Sequence, residues 1–451
     1  MGTTPDPLLA RAAATSVVRT LREAGHTAYF AGGCVRDELL GHAPSDYDIA
    51  TDATPERVRS LFPRTNHVGA AFGVTLVHVP APPAHAPAPA DRPSLITVEV
   101  ATFRSDGPYA DNRRPDSVVF ADAPADAARR DFTINALFLD PLEAPGETER
   151  AAGVQGRVID LVRGVPDLSA KLIRAVGNPD ARLAEDHLRA LRAVRFAARL
   201  GFTIEPATGA AIRAHAAQLA GVSKERIGEE LRRMFEQPPD ARTCAAHLIQ
   251  SLWLDAPVLG EAHSAAATPT LAALPASAPF ATTLAAWTLD RAPTPAARAA
   301  LMHETTVTAA VARLRAALCL SNADAALLSG TFAIRARLLT LWPGLSVALQ
   351  KRTAHHPAFA SAFATLTPAD TPTANAVATR LAELTISLHP DPFAHPPPAP
   401  EPLITGDDLI GIGLVPGPAF KALLDGLYDA QLEGRIDSRE AGMELARRLS
   451  V

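Results

Sequence analysis

The chain has 451 residues, more than one ordinary core absorbs, so roughly two to four domains are expected. Hydrophobic residues make up 47% but aromatics only 5%, a composition of small packing side chains suited to a globular, mainly helical protein. A formal net charge of −5 excludes a globally basic nucleic-acid binder and leaves any RNA contact to local basic patches.

Cys34, Cys244 and Cys319 lie far apart without C-x-x-C spacing, which argues against a zinc site or a disulfide framework and for reduced, buried thiols. The first residues lack a basic stretch followed by an apolar core. No run of about 18 apolar residues occurs anywhere, so a soluble cytoplasmic protein with no membrane partner is expected.

In chain order, residues 8–24 predict an amphipathic helix with Leu8, Leu9, Ala12, Ala13, Val17 and Leu21 on one face and Gly25 as its stop. Thr27–Ala31 reads as a strand, and Val35–Gly41 as a short helix ended by glycine. Between them, Gly32 and Gly33 let backbone N–H groups approach an anion, and Arg36 can add a charge-assisted contact to the same phosphates. About a dozen residues later comes Pro44-Ser45-Asp46-Tyr47-Asp48. Side chains alternate in extended chain, so Asp46 and Asp48 face the same side and can share hard cations; oxygen-only ligands favour magnesium. A bare D-x-D on an exposed loop is common, and order and spacing are what raise this one above that background.

Thr54-Pro55-Glu56 supplies an N-cap, an N1 proline and a first-turn acid for a helix through Leu61. Strands follow at 74–79 and 96–103, separated by a Pro/Ala-rich excursion to Pro93 that reads as a solvated hairpin connection. Glu99 sits at an alternating position of the second strand and faces either solvent or a site. Arg104–Asp116 is polar, basic and turn-rich. Arg129-Arg130-Asp131-Phe132-Thr133-Ile134-Asn135 offers guanidinia for phosphate, and an acid and an amide four residues apart on one helix face for ribose hydroxyls; a helix N-terminal charge cluster would look the same.

After about Gly156 the pattern turns to helix after helix. Glu185-Asp186-His187-Leu188-Arg189 places Asp186 and Arg189 at i, i+3, an acceptor beside a donor fork, with Glu185 able to steady the guanidinium. Such a pair can read the amino group and ring nitrogen of cytosine or adenine, and rejects uracil and guanine by leaving Asp186 against another acceptor. An ordinary intrahelical ion pair has the same spelling. Ser223–Phe235 opens as a serine-capped charged helix, residues 256–300 read as a loop or a loosely packed helical region, and 389–402 as a proline-rich linker.

Together, Gly32-Gly33-Cys34-Val35-Arg36-Asp37, Asp46-Tyr47-Asp48, Arg129-Arg130-Asp131 with Asn135-Ala136, and Glu185-Asp186-x-x-Arg189 followed by an Arg192-containing helix resemble the class II tRNA nucleotidyltransferase and bacterial poly(A) polymerase family. The likeness runs over about residues 8–240 and again over 402–449. It implies an α+β nucleotidyltransferase head with a polymerase β-like mixed sheet over 1–155, followed by an all-α neck over 156–240, a helical body over 241–395 and a tRNA-gripping tail over 396–451. It further implies catalysis by Asp46, Asp48 and Glu99, with Mg2+ on Asp46 and Asp48. Nucleotide contacts would come from Gly32, Gly33, Arg36, Arg130, Asp131, Asn135, Glu185, Asp186, Arg189 and Arg192. Residues 104–116 look like the loop of A-adding members, and 158–174 like the neck element that lets the pocket change size. The implied reaction is addition of CCA to the tRNA 3′ end from CTP and ATP, by a monomer or homodimer. An A-adding enzyme, a poly(A) polymerase, a non-catalytic RNA-binding relative and a small-molecule adenylyltransferase are the alternatives.

Overall fold

The computed structural model describes residues 6–67, 73–80, 95–106, 118–260, 267–292, 294–366, 370–387 and 397–450, together with 389, 391 and 393. The Pro/Ala-rich excursion over 81–93 and most of the basic loop, 107–116, lie outside them. The chain divides into two compact units, residues 1–222 with 252–257, and residues 223–251 with 258–451. The head expected over 1–155 and most of the neck therefore share one unit.

The first unit is built on a mixed sheet. Helix α1 (Pro7–Glu23) starts where Asp6 accepts from the Leu8 N–H and Pro7 needs no amide partner. Its buried stripe is Ala10, Ala13, Ala14, Val17, Val18 and Leu21. That stripe is rotated from the expected one: Leu8 and Ala12 are exposed, because the face against the sheet follows the 10-13-14-17-18-21 row.

Next come β1 (Ala28–Ala31), α2 (Gly33–Leu39), β2 (Asp48–Thr51), α3 (Pro55–Leu61), β3 (Thr65–His67), β4 (Val74–Pro80) and β5 (Leu95–Thr102). A ribbon of β6 (Arg104–Asp106) and β7 (Val118–Phe120), helix α4 (Ala123–Ala128), β8 (Phe138–Asp140), α5 (Glu147–Ala151) and β9 (Arg157–Ile159) complete the head. The sheet order is β3-β4-β5-β2-β1-β8-β9, with β2 parallel to β5 and every other neighbouring pair antiparallel. Because β9 belongs to this sheet, the sheet extends past residue 155 into the segment expected to be helical neck. Ala31, Ala50, Phe103 and Phe138 pack with Ala127 of α4 into one core cluster, while α1 packs on β1, β2 and β5.

Beyond β9, the same unit adds α6 (Gly164–Ser169), β10 (Leu172–Ile173), α7 (Pro179–Glu185), α8 (Arg189–Leu200), β11 (Thr203–Ile204) and α9 (Pro206–Ala214). Two short strands, β10 and β11, pair in parallel within this region.

The second unit is helical wherever it has regular structure among the described residues. The alanine-rich stretch expected to be a loop or loosely packed contains Pro269–Ala273, Phe280–Arg291 and Pro295–Ala300; of these Phe280–Arg291 is buried almost all round, Trp287 included. Pro269 and Pro295 stand at the first positions of their helices, where the missing N–H costs nothing. Ser223 holds the N-cap position of Lys224–Phe235, yet its Oγ is buried and makes no cap bond, unlike the serine cap expected. Cys34 is buried, but Cys319 is exposed, so the expectation of three buried thiols fails there; all three are free thiols. Among the described residues, no helix is long and apolar enough to cross a membrane.

Candidate active site

The two aspartates are aimed by the residue between them. Tyr47 is buried, its ring 5.0 Å from that of Phe30, and its hydroxyl donates to Glu38 Oε1 at 2.6 Å. The same oxygen accepts from Arg11 Nε at 2.7 Å. With Tyr47 pinned inward, alternation turns Asp46 and Asp48 outward, and both are exposed. Phe30 stands opposite Ile49, so the end of β1 that leads into Gly32 and Gly33 runs beside Asp48. On the other side, the parallel ladder sets Asp48 opposite Glu99. Strand β5 exposes Leu95, Thr97 and Glu99, so the two carboxylates share one open face. Glu99 thus faces solvent and the aspartates at once.

Enclosure by protein pushes the Asp48 carboxyl up to about 7, and the charges of Glu99 and Asp46 push the same way, with Arg130 pulling down. Glu99 is raised as well, by burial and then by Asp46. Asp48 still reaches solvent at its edge, and the like charges push its carboxyl the same way as burial does. Among the described residues, no group of three or more His, Cys, Asp or Glu side chains is arranged to hold a metal ion unaided. Mutually repelling carboxylates at an open edge do fit a magnesium-type ion, which binds through one or two carboxylates plus water and substrate phosphate.

Gly32 makes the turn out of β1 at φ +77°, a conformation L side chains resist, and a Cβ there would lie 2.9 Å from Arg130 Nη1. Arg130 donates to the Asn135 carbonyl at 3.1 Å and to Asp126 Oδ2 at 2.9 Å, while Arg129 holds Asp126 Oδ1 at 2.7 Å. Burial raises the Asp126 carboxyl, but the two guanidinia overcome it and hold it below the usual carboxylate range.

Asp131 and Asn135 meet, with Asn135 Nδ2 donating to Asp131 Oδ1 at 3.2 Å. They do so around a short 3-10 turn, Thr133–Asn135, and not on the α-helical face expected, because Phe132 is extended and bridges to Ala175. Asp131 also accepts from the Phe132 N–H at 2.8 Å and from Arg192 Nε and Nη2 at 2.8 and 2.6 Å. Burial lifts its carboxyl; Arg192 more than reverses that. Arg36 is buried and commits its fork to Asp37, at 2.8 Å from Nε, and to Asn135 Oδ1, so it serves as scaffold where a phosphate contact was expected.

Asp186 and Arg189 do not share one helix. Asp186 is the extended C-cap of α7 and Arg189 the first residue of α8, and a tight turn brings them together: the Arg189 N–H donates to the Asp186 carbonyl at 3.0 Å, and Asp186 Oδ1 accepts from the Leu188 N–H at 3.0 Å. Glu185 Oε2 holds Arg189 Nη1 at 2.7 Å, and the Arg182 and Arg129 carbonyls accept from Nη1 and Nη2 at 2.6 and 3.2 Å. Three of the five guanidinium donors are thereby used, which fixes the plane of the fork.

Residues 28–174 match the family model of the poly A polymerase head domain, and residues 201–251 that of the probable RNA and SrmB-binding site of polymerase A. The CCA-adding enzyme of Geobacillus thermodenitrificans is 41% identical over 227 residues, 50% of this chain and 49% of that one; that of Lactiplantibacillus plantarum is 38% identical over 62% of this chain and 63% of that one. These alignments span about half to two-thirds of the relatives' length. The crystal structure of the Bacillus stearothermophilus CCA-adding enzyme in complex with CTP is similar over 99% of both chains, at 26% identity and a TM-score of 0.67.

Residues 28–174 are a poly A polymerase head domain.

The Thermotoga maritima CCA-adding enzyme complexed with tRNA, 16% identical with a TM-score of 0.63 over 99% of this chain, adds evidence for the fold alone. The fold likeness reaches across residues 256–395, where the sequence showed no resemblance. This nucleotidyltransferase family generally uses divalent metal ions. One site residue escaped the sequence reading. Asp126, on which Arg129 and Arg130 converge, was legible as an acid three and four residues ahead of two arginines, the spacing of helical ion pairs.

Proposed function

We propose that the chain is a template-independent RNA nucleotidyltransferase that adds or repairs the 3′-terminal CCA of tRNA, using CTP and ATP with Mg2+. The observation that carries this reading is one compact unit holding both a D-x-D pair registered against Glu99 and an Asp186–Arg189 pair whose guanidinium is locked by Glu185. The named activity of relatives matched over about half their length supports it.

Asp46 and Asp48 would hold the metal. Divalent ions bound there would lower the pKa of the RNA 3′-hydroxyl and neutralise charge on the leaving pyrophosphate. Asp186 accepts the exocyclic amine of cytosine or adenine, while the free donors of Arg189 meet the adjoining ring nitrogen. Uracil or guanine sets an oxygen against the carboxylate, and that clash of acceptors discriminates by several kcal/mol, on the order of a hundredfold or more. Asp131 and Asn135 would bond the ribose hydroxyls, with Arg192 holding the former in its ionised form.

The test supplies tRNA transcripts ending at the discriminator base, at C and at CC with Mg2+ and CTP, ATP or both, read at single-nucleotide resolution. Addition of two C and one A followed by arrest is expected. A single A on the CC end alone would make it an A-adding enzyme, long A tails a poly(A) polymerase, and no extension of any end would end the catalytic reading.

A further inference from the structure

One chain of side-chain contacts in the first unit closes on itself. Arg192 of α8 binds Asp131 Oδ2, Asp131 Oδ1 accepts from Asn135, and Asn135 Oδ1 accepts from Arg36. Arg36 Nη2 pairs with Asp37 Oδ1 at 2.7 Å, and Asp37 Oδ2 accepts from Arg199 Nη2 at 3.4 Å, back on α8. Arg192 and Arg199 are seven residues, two turns and about 10.5 Å apart on one helix face. The loop therefore fastens α8 at two points to α2, the helix entered from the Gly32–Gly33 turn.

Phe196 lies between the two fastenings and fills the loop. It is buried, edge-on to Phe132 with ring centroids 5.9 Å apart, and the guanidinium carbons of Arg36 and Arg192 lie 5.3 and 5.5 Å from its centroid. Arg36 thus touches α8 through Phe196 and reaches it through both arms of the ring. Helix α8 begins with Arg189, so any rotation or slide of α8 moves the base-reading fork relative to the carboxylates beside the glycine turn.

We propose that Asp37, Phe196 and Arg199 form a clasp that holds α8 in register with the glycine turn, and that Arg199 is a positioning residue for nucleotide selection. The inference rests on the nucleotidyltransferase reading and adds to it a residue about three turns along α8 from Arg189 of the base-reading pair. Arg199 is the member to change, since its side chain is 43% exposed and removing it leaves no buried hole.

The experiment compares wild type, Arg199→Ala and Arg199→Lys in the full chain with Mg2+, measuring kcat/KM for CTP and for UTP on a tRNA ending in C, alongside thermal midpoints. An ion pair this exposed is worth at most about fivefold. Arg199→Ala is expected to lower the CTP-over-UTP ratio by about three- to fivefold with an unchanged midpoint, and Arg199→Lys to restore most of it. An unchanged ratio overturns the proposal, and so does a loss of rate equal for both nucleotides that tracks a lowered midpoint, which is the signature of a merely structural contact. If the wild type adds no nucleotide, the nucleotidyltransferase reading itself fails and the clasp falls with it, a result distinct from a normal wild type with an indifferent variant.

Discussion

Asp48 shows how a residue can be placed by its neighbours against its own electrostatic interest. It stands beside Glu99 and Asp46, and burial first, then those like charges, raises its carboxyl to about 7, a standing cost in protein without a bound cation. Asp48→Asn removes one of the repelling charges. Expected outcomes are a loss of nucleotide addition of about three orders of magnitude, unchanged tRNA binding, and a metal-free thermal midpoint about 1–4 °C higher. Titrating Mg2+ should raise the midpoint of the wild type, because a ligand that binds only the folded state stabilises it, and leave the variant still. Equal loss of binding and addition would make the pair structural. The D-x-D was readable because its period is two residues and local. Glu99 stayed open between solvent and site because strand register depends on partners 50 residues away. Arg36 was misplaced since nothing in its own neighbourhood announces Asn135 or Phe196.

At the scale of elements, helix α4 ties the head together through one acid and two bases. Asp126 is buried, and its depressed folded-state value means it binds a proton less readily folded than unfolded. Its contribution to stability is therefore full above the ordinary carboxylate value of about 4, and is lost as pH falls from there through the folded-state value. Asp131, held down by Arg192 against its burial, behaves the same way. Unfolding of the head below about pH 4 should be steep in the wild type and flatter in Asp126→Asn, which should cost about 2 kcal/mol at pH 7 by removing the charged acceptor that Arg129 and Arg130 share. Denaturant midpoints across pH 2.5–7 check both. In the second unit, Gly228 lies inside Lys224–Phe235, where a Cβ would fall 2.1 Å from the Leu318 carbonyl oxygen. Alanine at an ordinary helical glycine stabilises by about 1 kcal/mol, but Gly228→Ala is expected to destabilise by about 2 kcal/mol because the close approach is to backbone. The helices of this region were hard to read for a physical reason: alanine carries little amphipathic signal, and prolines that begin helices look like prolines that break them.

Over the whole molecule, the net charge of −5 sets a problem that no single residue reveals, since the proposed partner is a polyanion. Arginines near the site are mostly spoken for: Arg36 by Asp37, Arg130 by Asp126, Arg192 by Asp131 and Arg189 by Glu185. Their charges are largely neutralised locally, which leaves the long-range field to the rest of the surface. Fourteen histidines, neutral in that count, can change its sign. Burial holds His187 and His356 below the usual histidine value, so those two gain little charge near neutrality. Histidine is the residue type that gains charge in the range from pH 8 to pH 6, so acidification across it moves the net charge of −5 in the positive direction. tRNA affinity, measured with Asp46→Ala so that no nucleotide is added, should therefore strengthen several-fold over that interval at low salt. The gain should shrink as salt is raised, because screening removes a long-range field before it removes direct contacts. An affinity indifferent to pH at low salt would instead place recognition in a local patch free of histidine, with the acidic remainder too distant to be felt.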